Sequence, residues 1–256
     1  MLRKLMKYEF KATGRIMLPL YAVLLCLAII NKLFIGVNFI ETNIEGYAGI
    51  PFVLSMMAYV ATVVGVSIGT LFIIVQRFYK NIYGDEGYLM NTIPVSRVQN
   101  IVSKLLVSMI WVIASFIVSV ISVLIMAYIP NMFKDVISEF KILFSYEDIN
   151  ILLIIQFIVL ALVALAHEIM SFYASISLGQ LFSSKKLLGA FLAFMIIRFT
   201  EQAILGIGGV AFFSSIDIYN MHPQIIMLII TIVVAIFFTI LFYTTHYILK
   251  NKLNLE

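Results

Sequence analysis

Six long, predominantly apolar stretches dominate this 256-residue chain and constrain its fold more than any other feature. The hydrocarbon core of a bilayer is about 30 Å thick, so a helix rising ~1.5 Å per residue crosses it in about 20 residues. Runs such as Ile151–Ile155 lack the strict alternation of a transmembrane β-strand, so the stretches predict helices. We expect transmembrane helices at about 16–37, 50–76, 103–129, 151–182, 187–213 and 224–249.

The composition excludes the main classes of soluble protein. Hydrophobic residues make up 63% of the chain and charged residues 12%, and the mean hydropathy is +1.09. Soluble domains are about 45–50% apolar and about 25% charged, and disordered chains are charge-rich and poor in aromatic residues. A single cysteine, Cys26, excludes a disulfide framework. We therefore predict an all-α membrane protein whose residues 1–256 form a single transmembrane domain.

The basic residues predict the orientation in the membrane. Of the 17 lysines and arginines, 13 fall in segments on one side of the six predicted spans, and the positive-inside rule places that side in the cytoplasm. Both termini are then cytoplasmic, and the basic charge does not indicate nucleic acid as a partner. No small-x-small cleavage site follows the first span, so we expect it to be retained. The 13 residues are Arg3, Lys4, Lys7, Lys11, Arg15, Arg77, Lys80, Arg97, Lys104, Lys185, Lys186, Lys250 and Lys252.

Basic residues also pattern the N-terminal segment. Arg3, Lys7, Lys11 and Arg15 recur every fourth residue and share one face of a helix, with apolar residues largely opposite. This pattern predicts an amphipathic helix over residues 1–15 that lies in the membrane interface before the first span. The alternative is a charged flank that only orients the first span.

The segment 77–104, between the second and third spans, is the longest link on the lysine-rich side. Asp85 is a suitable N-cap for a short helix, and Pro94 ends that helix because the residue before proline is disfavoured in helical geometry. Ser96 and Gln99 have the spacing of a capping box and predict a new helix that runs into the third span. We therefore expect a short helix, a rigid corner and a return into the membrane.

Tyr88, Leu89 and Met90 place apolar side chains on this short helix, beside the bilayer. Exposed apolar residues on a surface helix are typical of a segment that docks into a groove on a partner protein. The alternative is that these side chains dip into the lipid headgroups, and helical periodicity does not separate the two.

The order of these features, with Gly87–Arg97 between spans two and three, resembles the permease subunits of ABC-2 type transporters. In that family a Leu-x-x-Thr-x-Pro-Val-Ser-Arg stretch forms a coupling helix that docks on a separate ATPase subunit. The resemblance implies a bacterial exporter of the cytoplasmic membrane, a second copy or a related permease chain, and ATP and magnesium bound by the ATPase. It implies that the coupling residues are Gly87, Tyr88, Leu89, Met90, Asn91, Thr92, Pro94, Ser96 and Arg97, with Lys185 and Lys186 in a second contact.

The chain has no nucleotide-binding motif of its own. The pattern G-x-x-x-x-G-K-[ST], whose backbone cradles phosphates, is absent from the sequence. We therefore expect a transport subunit without enzymatic activity, catalytic residues or cofactor, powered by another polypeptide.

Charged residues inside the predicted spans indicate a buried site. Glu168 lies in span four, and Arg198 and Glu201 lie at comparable depths in span five. A charge at the bilayer centre costs about 2.5–3.5 kcal/mol on insertion scales, so such residues face protein or water. We predict an intramembrane ionic cluster of these three residues, which either clamps spans four and five or contributes to the substrate path or its gating. His167 precedes Glu168, but Ser171 stands where a zinc-protease pattern needs its second histidine, so no metal site is expected.

Two other functions stay open on the sequence. A proton-coupled secondary transporter would use Glu168, Arg198 and Glu201, and a non-transporting membrane sensor or immunity protein would have no ATPase partner. The glycines of Gly206–Gly209 predict a break in span five, which resembles the short re-entrant helices of ABC-2 permeases.

Overall fold

The computed structural model describes residues 2–36, 50–84, 87, 96–127, 134, 138, 151–182, 185–215 and 222–252. The secondary structure of these residues is α-helical, and no strand occurs among them. Among these residues, six helices are each long and apolar enough to cross a membrane, and each overlaps one of the six predicted spans. They are α1 (Leu2–Gly36), α2 (Ile50–Ile82), α3 (Arg97–Ala127), α4 (Ile151–Gly179), α5 (Lys186–Ser215) and α6 (Pro223–Asn251).

The link between α2 and α3 is shorter than its hydropathy suggests. α2 continues to Ile82, beyond the predicted end of the second span at residue 76, whereas α3 begins at Arg97, next to the helix start predicted at Ser96. Hydropathy marks where a chain leaves the hydrocarbon, and a helix of good formers continues past that level until a residue such as Gly84 favours its end. Ser96 caps α3 as predicted, because its hydroxyl accepts the backbone N–H of Gln99 at 3.3 Å.

The N-terminal segment does not form a separate helix. A single helix, α1, runs from Leu2 to Gly36 and passes through Pro19, so the boundary predicted at residue 15 is wrong. Lysine and arginine are good helix formers, and helical propensity therefore does not fall where the sequence becomes polar. The four basic residues that recur every fourth position are all exposed on this helix. That this segment lies in the membrane interface stays a prediction.

The glycine-rich sequence Gly206–Gly209 does not interrupt α5, so the predicted break is wrong. The helix continues through these residues to Ser215. Each glycine weakens a helix by about 1 kcal/mol relative to alanine in water. Inside an apolar medium, however, a broken helix would leave backbone N–H and C=O groups without partners at a higher cost. Helical geometry is therefore retained across the glycines.

The described residues fall into two compact units by their internal contacts, and the single transmembrane domain stays a prediction. The first comprises residues within Met1–Ile74 and Leu106–Leu143, and the second comprises residues within Val75–Leu105 and Phe144–Glu256. The second unit therefore contains α4, α5, α6 and the two helix ends that flank the link between α2 and α3. Helices α2 and α3 each contribute residues to both units.

The first unit packs around the only tryptophan of the chain, Trp111 on α3. The Phe10 ring stacks on the indole with their centroids 4.7 Å apart. Gly14 also lies against the same indole, where a Cβ would stand 3.4 Å from the ring, an ordinary van der Waals distance. Other buried members of this core are Met17, Tyr21, Leu24, Ala28, Tyr59, Val66, Ile73 and Val107.

Buried hydroxyl groups join the three helices of the first unit. The Ser115 hydroxyl on α3 lies 2.7 Å from the hydroxyl of Tyr21 on α1 and 2.8 Å from that of Thr70 on α2. Thr70 also hydrogen-bonds the Val66 carbonyl at 2.6 Å. Because the surroundings are apolar, these hydroxyls have little alternative to bonding one another, so they favour one register of α1, α2 and α3.

The second unit is organised by α4, which packs against both α5 and α6. Its C-terminal half is buried, and Tyr173 on it is only 1% exposed. The Tyr173 ring stacks face to face on Phe78 of α2, with centroids 3.8 Å apart and the planes 8° from parallel. This stack ties the end of α2 to α4 within the second unit.

We expect Ser115→Ala to lower the free energy of unfolding by about 1 kcal/mol, because it removes two hydrogen bonds between helices. The measurement is unfolding of the purified protein in mixed micelles with increasing sodium dodecyl sulfate. Ser67→Ala is the matched control, since the exposed Ser67 hydroxyl bonds only the Val63 carbonyl of its own helix. Equal stability of the two variants would contradict a stabilising role for the buried hydroxyl network.

Candidate functional site

A network of ionisable side chains joins α4 and α5 within the second unit. The guanidinium of Arg198 on α5 holds the Glu168 carboxylate of α4 in a bidentate pair, in which Nη1 lies 3.1 Å from Oε1 and Nη2 bonds Oε2. The same Nη1 lies 3.4 Å from Oε2 of Glu201, one helical turn along α5. The structure thus brings together the three residues that the sequence predicts as an ionic cluster.

His167 joins the cluster as a fourth member that the sequence analysis did not include. Its Nε2 lies 3.0 Å from Oε1 of Glu201, and its Nδ1 lies 3.9 Å from Oε1 of Glu168. From the sequence, His167 was considered only as a possible metal ligand. The signal that identifies it is its depth, because it lies in an apolar span at the same level as Glu201 and next to Glu168. The four residues together are called the ionic cluster below.

The two halves of the ionic cluster differ in exposure. The side chains of His167 and Glu201 are 10% and 9% exposed, whereas those of Arg198 and Glu168 are 25% and 53% exposed. Arg198 also lies over the ring of Phe194, with its guanidinium carbon 5.2 Å from the centroid, a distance typical of a cation–π contact. The cluster therefore has a buried half and a half that reaches the surface of the chain.

The exposed half lies deep within the spans. At ~1.5 Å per residue, Glu168 and Arg198 are roughly 16–18 Å from the ends of α4 and α5 that adjoin the short α4–α5 link. A charged side chain facing hydrocarbon at that depth costs a few kcal/mol, so charged groups in membranes face protein or water. The face that carries Glu168 therefore needs a cover other than lipid chains.

The charges within the ionic cluster do not balance when the histidine is neutral. Two carboxylates then face a single guanidinium, and a proton on His167 brings the total charge to zero. Such an arrangement can hold a proton or a charged group of a substrate, or it can fix α4 against α5. Among the described residues, no group of three or more histidine, cysteine, aspartate or glutamate residues could hold a metal ion.

The predicted coupling residues are described only at the two ends of their segment. Tyr88, Leu89, Met90, Asn91, Thr92 and Pro94 lie outside the described residues. Gly87 is helical and buried, and its N–H donates to the Gly84 carbonyl at 2.8 Å. At the other end, Ser96 caps α3 and Arg97, its first residue, is exposed. The helix boundaries around the segment are therefore defined.

Residues 83–96, between α2 and α3, are called the coupling segment below; Tyr83 is its first residue and belongs to the second unit. Its ring makes an edge contact with Phe78, with the centroids 6.3 Å apart. Burial raises the pKa of the Tyr83 hydroxyl well above its ordinary value of 10.0, and this effect outweighs the opposing effect of the Ser177 side chain on α4. The hydroxyl is therefore protonated at neutral pH. Together with the stack of Phe78 on Tyr173, this packing links the end of α2 to α4.

The other predicted coupling residues, Lys185 and Lys186, lie where α5 begins. Lys185 precedes the helix and is exposed, whereas Lys186 is the first residue of α5 and lines a cavity of about 280 Å³. Beside them, α4 and α5 approach closely at Gly179, where a Cβ would lie 2.5 Å from the backbone nitrogen of Ala190. Only glycine permits this contact, so Gly179 sets the spacing of the two helices next to the lysines.

We expect Arg198→Gln to lower the free energy of unfolding by about 2–3 kcal/mol, because it leaves the buried Glu201 carboxylate without its cation. Adding Glu201→Gln should recover most of this loss, since a neutral amide can still hydrogen-bond His167. Unfolding in mixed micelles measures both effects. Thr200→Ala is the control, because the exposed Thr200 hydroxyl bonds only carbonyls of its own helix. If Arg198→Gln were as stable as Thr200→Ala, the ionic cluster would not hold α4 against α5.

Comparison with known proteins found no match to this chain. No protein-family model, no curated protein and no solved structure matches the chain. The resemblance to ABC-2 permeases, carried by the residues between α2 and α3, stays a prediction.

Proposed function

We propose that this chain is the transmembrane permease subunit of an ABC-2 type exporter and that a separate ATPase subunit powers it. The observation that carries the proposal is the packing of the two helix ends that flank the coupling segment. Both ends belong to the same compact unit as α4, α5 and α6. A displacement of the segment would therefore reach the helices that hold the ionic cluster.

At the first end, the stack of Phe78 on Tyr173 connects α2 to the buried half of α4. Planar rings 3.8 Å apart have little freedom to slide past each other without losing contact area. At the second end, the Ser96 cap makes Arg97 the first helical residue of α3. A segment held at both ends by ordered helices is suited to pass on a push from outside the membrane.

The ionic cluster is compatible with a polar path through the membrane. Glu168 is 53% exposed at mid-depth, where lipid is an unfavourable neighbour for a carboxylate. Water in a conduit, or a second permease chain beside it, would cover this face at lower cost. An exporter built from two permease chains provides both the water-filled conduit and the second chain.

In the proposed mechanism, closure of the ATPase subunits pushes on residues 88–92. Pro94 lacks a backbone N–H and has a fixed φ, so it makes a stiff corner that transmits the push to α3. The stack of Phe78 on Tyr173 transmits the same displacement to α4 and hence to the ionic cluster. Lys185, which is exposed where α5 begins, provides the second contact.

We expect Leu89→Asp and Pro94→Gly to uncouple ATP hydrolysis from transport while the protein still inserts in the membrane. The aspartate places a charge in the apolar docking surface, and the glycine makes the corner flexible. The measurement compares substrate-stimulated ATP hydrolysis with export in the same vesicles.

Leu253→Asp serves as the matched control, because it makes the same change on the same predicted face of the membrane but outside the coupling segment. This control should keep ATP hydrolysis coupled to export. If Leu89→Asp and Pro94→Gly were as well coupled as the control, the docking assignment would be wrong.

The pairing of buried His167 with Glu201 favours a second candidate, a proton-coupled carrier. A histidine and a carboxylate 3.0 Å apart can share and release a proton within the membrane. In vesicles, transport by an exporter needs ATP and survives an uncoupler that collapses the proton gradient. A carrier gives the opposite result, and its transport is lost in Glu201→Gln but kept in Thr200→Ala. This pair of conditions separates the two functions.

A further inference from the structure

We propose that the cavity between the ends of α2, α4 and α5 is a binding site for one chain of an anionic phospholipid. Val75 and Tyr79 of α2 form one wall, and Ile176 of α4 forms a second. The remaining lining residues are Gln180, Lys186, Leu187 and Ala190. All of these residues belong to the second unit, and the cavity has a volume of about 280 Å³. This site does not depend on the proposed function.

The interior of the cavity matches a hydrocarbon chain. Its lining is almost entirely apolar, and Val75, Ile176, Leu187 and Ala190 are among the residues that form it. Leu187 is 86% exposed and Tyr79 is 43% exposed, so the cavity opens to the surface of the chain. In a membrane-spanning protein the molecules nearest to such an opening are lipids. An apolar opening beside the bilayer favours an acyl chain over water.

The rim of the cavity supplies the groups that a phosphate headgroup needs. Lys186 can lay its apolar stem along the cavity while its ammonium stays outside, as lysines do at membrane interfaces. Among the described residues, no acidic side chain pairs with this ammonium. Tyr79 and Gln180 also line the cavity, and their hydroxyl and amide groups can donate hydrogen bonds. One cation and two neutral donors favour an anionic headgroup.

The position of the cavity along the helices agrees with this assignment. It lies where α2 and α4 end and α5 begins, on the lysine-rich side of the spans. Basic pockets between transmembrane helices on the cytoplasmic side are typical sites for anionic lipid headgroups. The close contact of Gly179 with Ala190 holds α4 and α5 together beside the cavity. The walls formed by α4 and α5 are therefore fixed before a lipid arrives.

The adjacent lysines provide a sharp test. The delipidated full chain in neutral detergent is titrated with dioleoyl phosphatidylglycerol or dioleoyl phosphatidylcholine, and bound lipid is counted by native mass spectrometry. We expect the wild type to prefer phosphatidylglycerol and Lys186→Gln to bind it roughly five-fold more weakly, as the loss of one lysine near the membrane surface predicts. Lys185→Gln, which removes the same charge one residue away from the cavity, should bind as the wild type does.

Several outcomes would overturn the proposal. Equal losses in Lys185→Gln and Lys186→Gln would show diffuse attraction to surface charge and no defined site. Binding of both lipids with equal affinity would exclude recognition of the headgroup. Competition by glycerol 1-phosphate at the same concentration as the lipid would indicate a phosphate site that needs no acyl chain. Because the assay contains neither ATPase nor transport, its result is independent of the proposed function.

A second arm identifies the occupant directly. In a Cys26→Ser background, a cysteine introduced as Leu187→Cys carries a photoreactive cross-linker in native membranes. Cross-linking to phosphatidylglycerol supports the lipid site. Cross-linking to a protein that copurifies, without lipid, would assign the cavity to a partner subunit and overturn the proposal.

Discussion

An apolar medium offers no hydrogen-bonding partner to a polar group, and this constraint accounts for most of what the six helices do. Backbone groups must bond within their own helix, so α5 stays helical across Gly206–Gly209 although four residues with three glycines would favour a break in water. Hydroxyl groups must find carbonyls or one another, so Ser115 bonds both Tyr21 and Thr70. The same constraint explains why the arginine of α5 lies where two carboxylates reach it.

Arg198 shows how the need for polar partners in an apolar medium bears on function. Its charge is tolerated within an apolar helix because Glu168 and Glu201 accept its hydrogen bonds and Phe194 lies beneath its guanidinium. The buried part of this network holds α4 against α5, whereas the carboxylate of Glu168 remains half-exposed. A purely structural clamp would be better buried, because each exposed charge is unfavourable in lipid. The exposed half therefore suggests that water or a second chain adjoins this face.

The sequence predicts features that depend on local chemistry. Long apolar stretches indicate the six helices, and the spacing of Ser96 and Gln99 indicates the cap of α3, because both depend on neighbours in the chain. The meeting of Glu168 with Arg198 is predictable from depth, since charges at one level of adjacent helices have few other partners. The helix ends are less predictable. Hydropathy indicates where the chain leaves the hydrocarbon, whereas helical propensity determines how far the helix continues beyond that level.

Features that depend on distant packing are not predictable in the same way. The stack of Phe78 on Tyr173 joins residues 95 positions apart, and nothing near either ring in the sequence indicates the other. His167 was missed for a related reason, since its role arises from Glu201 on another helix. The division into two units also follows from contacts between helices. These features decide how a displacement of the coupling segment would reach the ionic cluster.

The central claim is that an external ATPase drives this chain through the segment between α2 and α3. The most direct measurement is ATP hydrolysis by the complex purified in mild detergent from its native membrane through a tag on this chain. The account predicts a copurifying nucleotide-binding polypeptide in a fixed ratio to the chain, with hydrolysis that stays with the complex through size-exclusion chromatography. An intact six-helix protein that elutes without any such polypeptide and without ATP hydrolysis would contradict it.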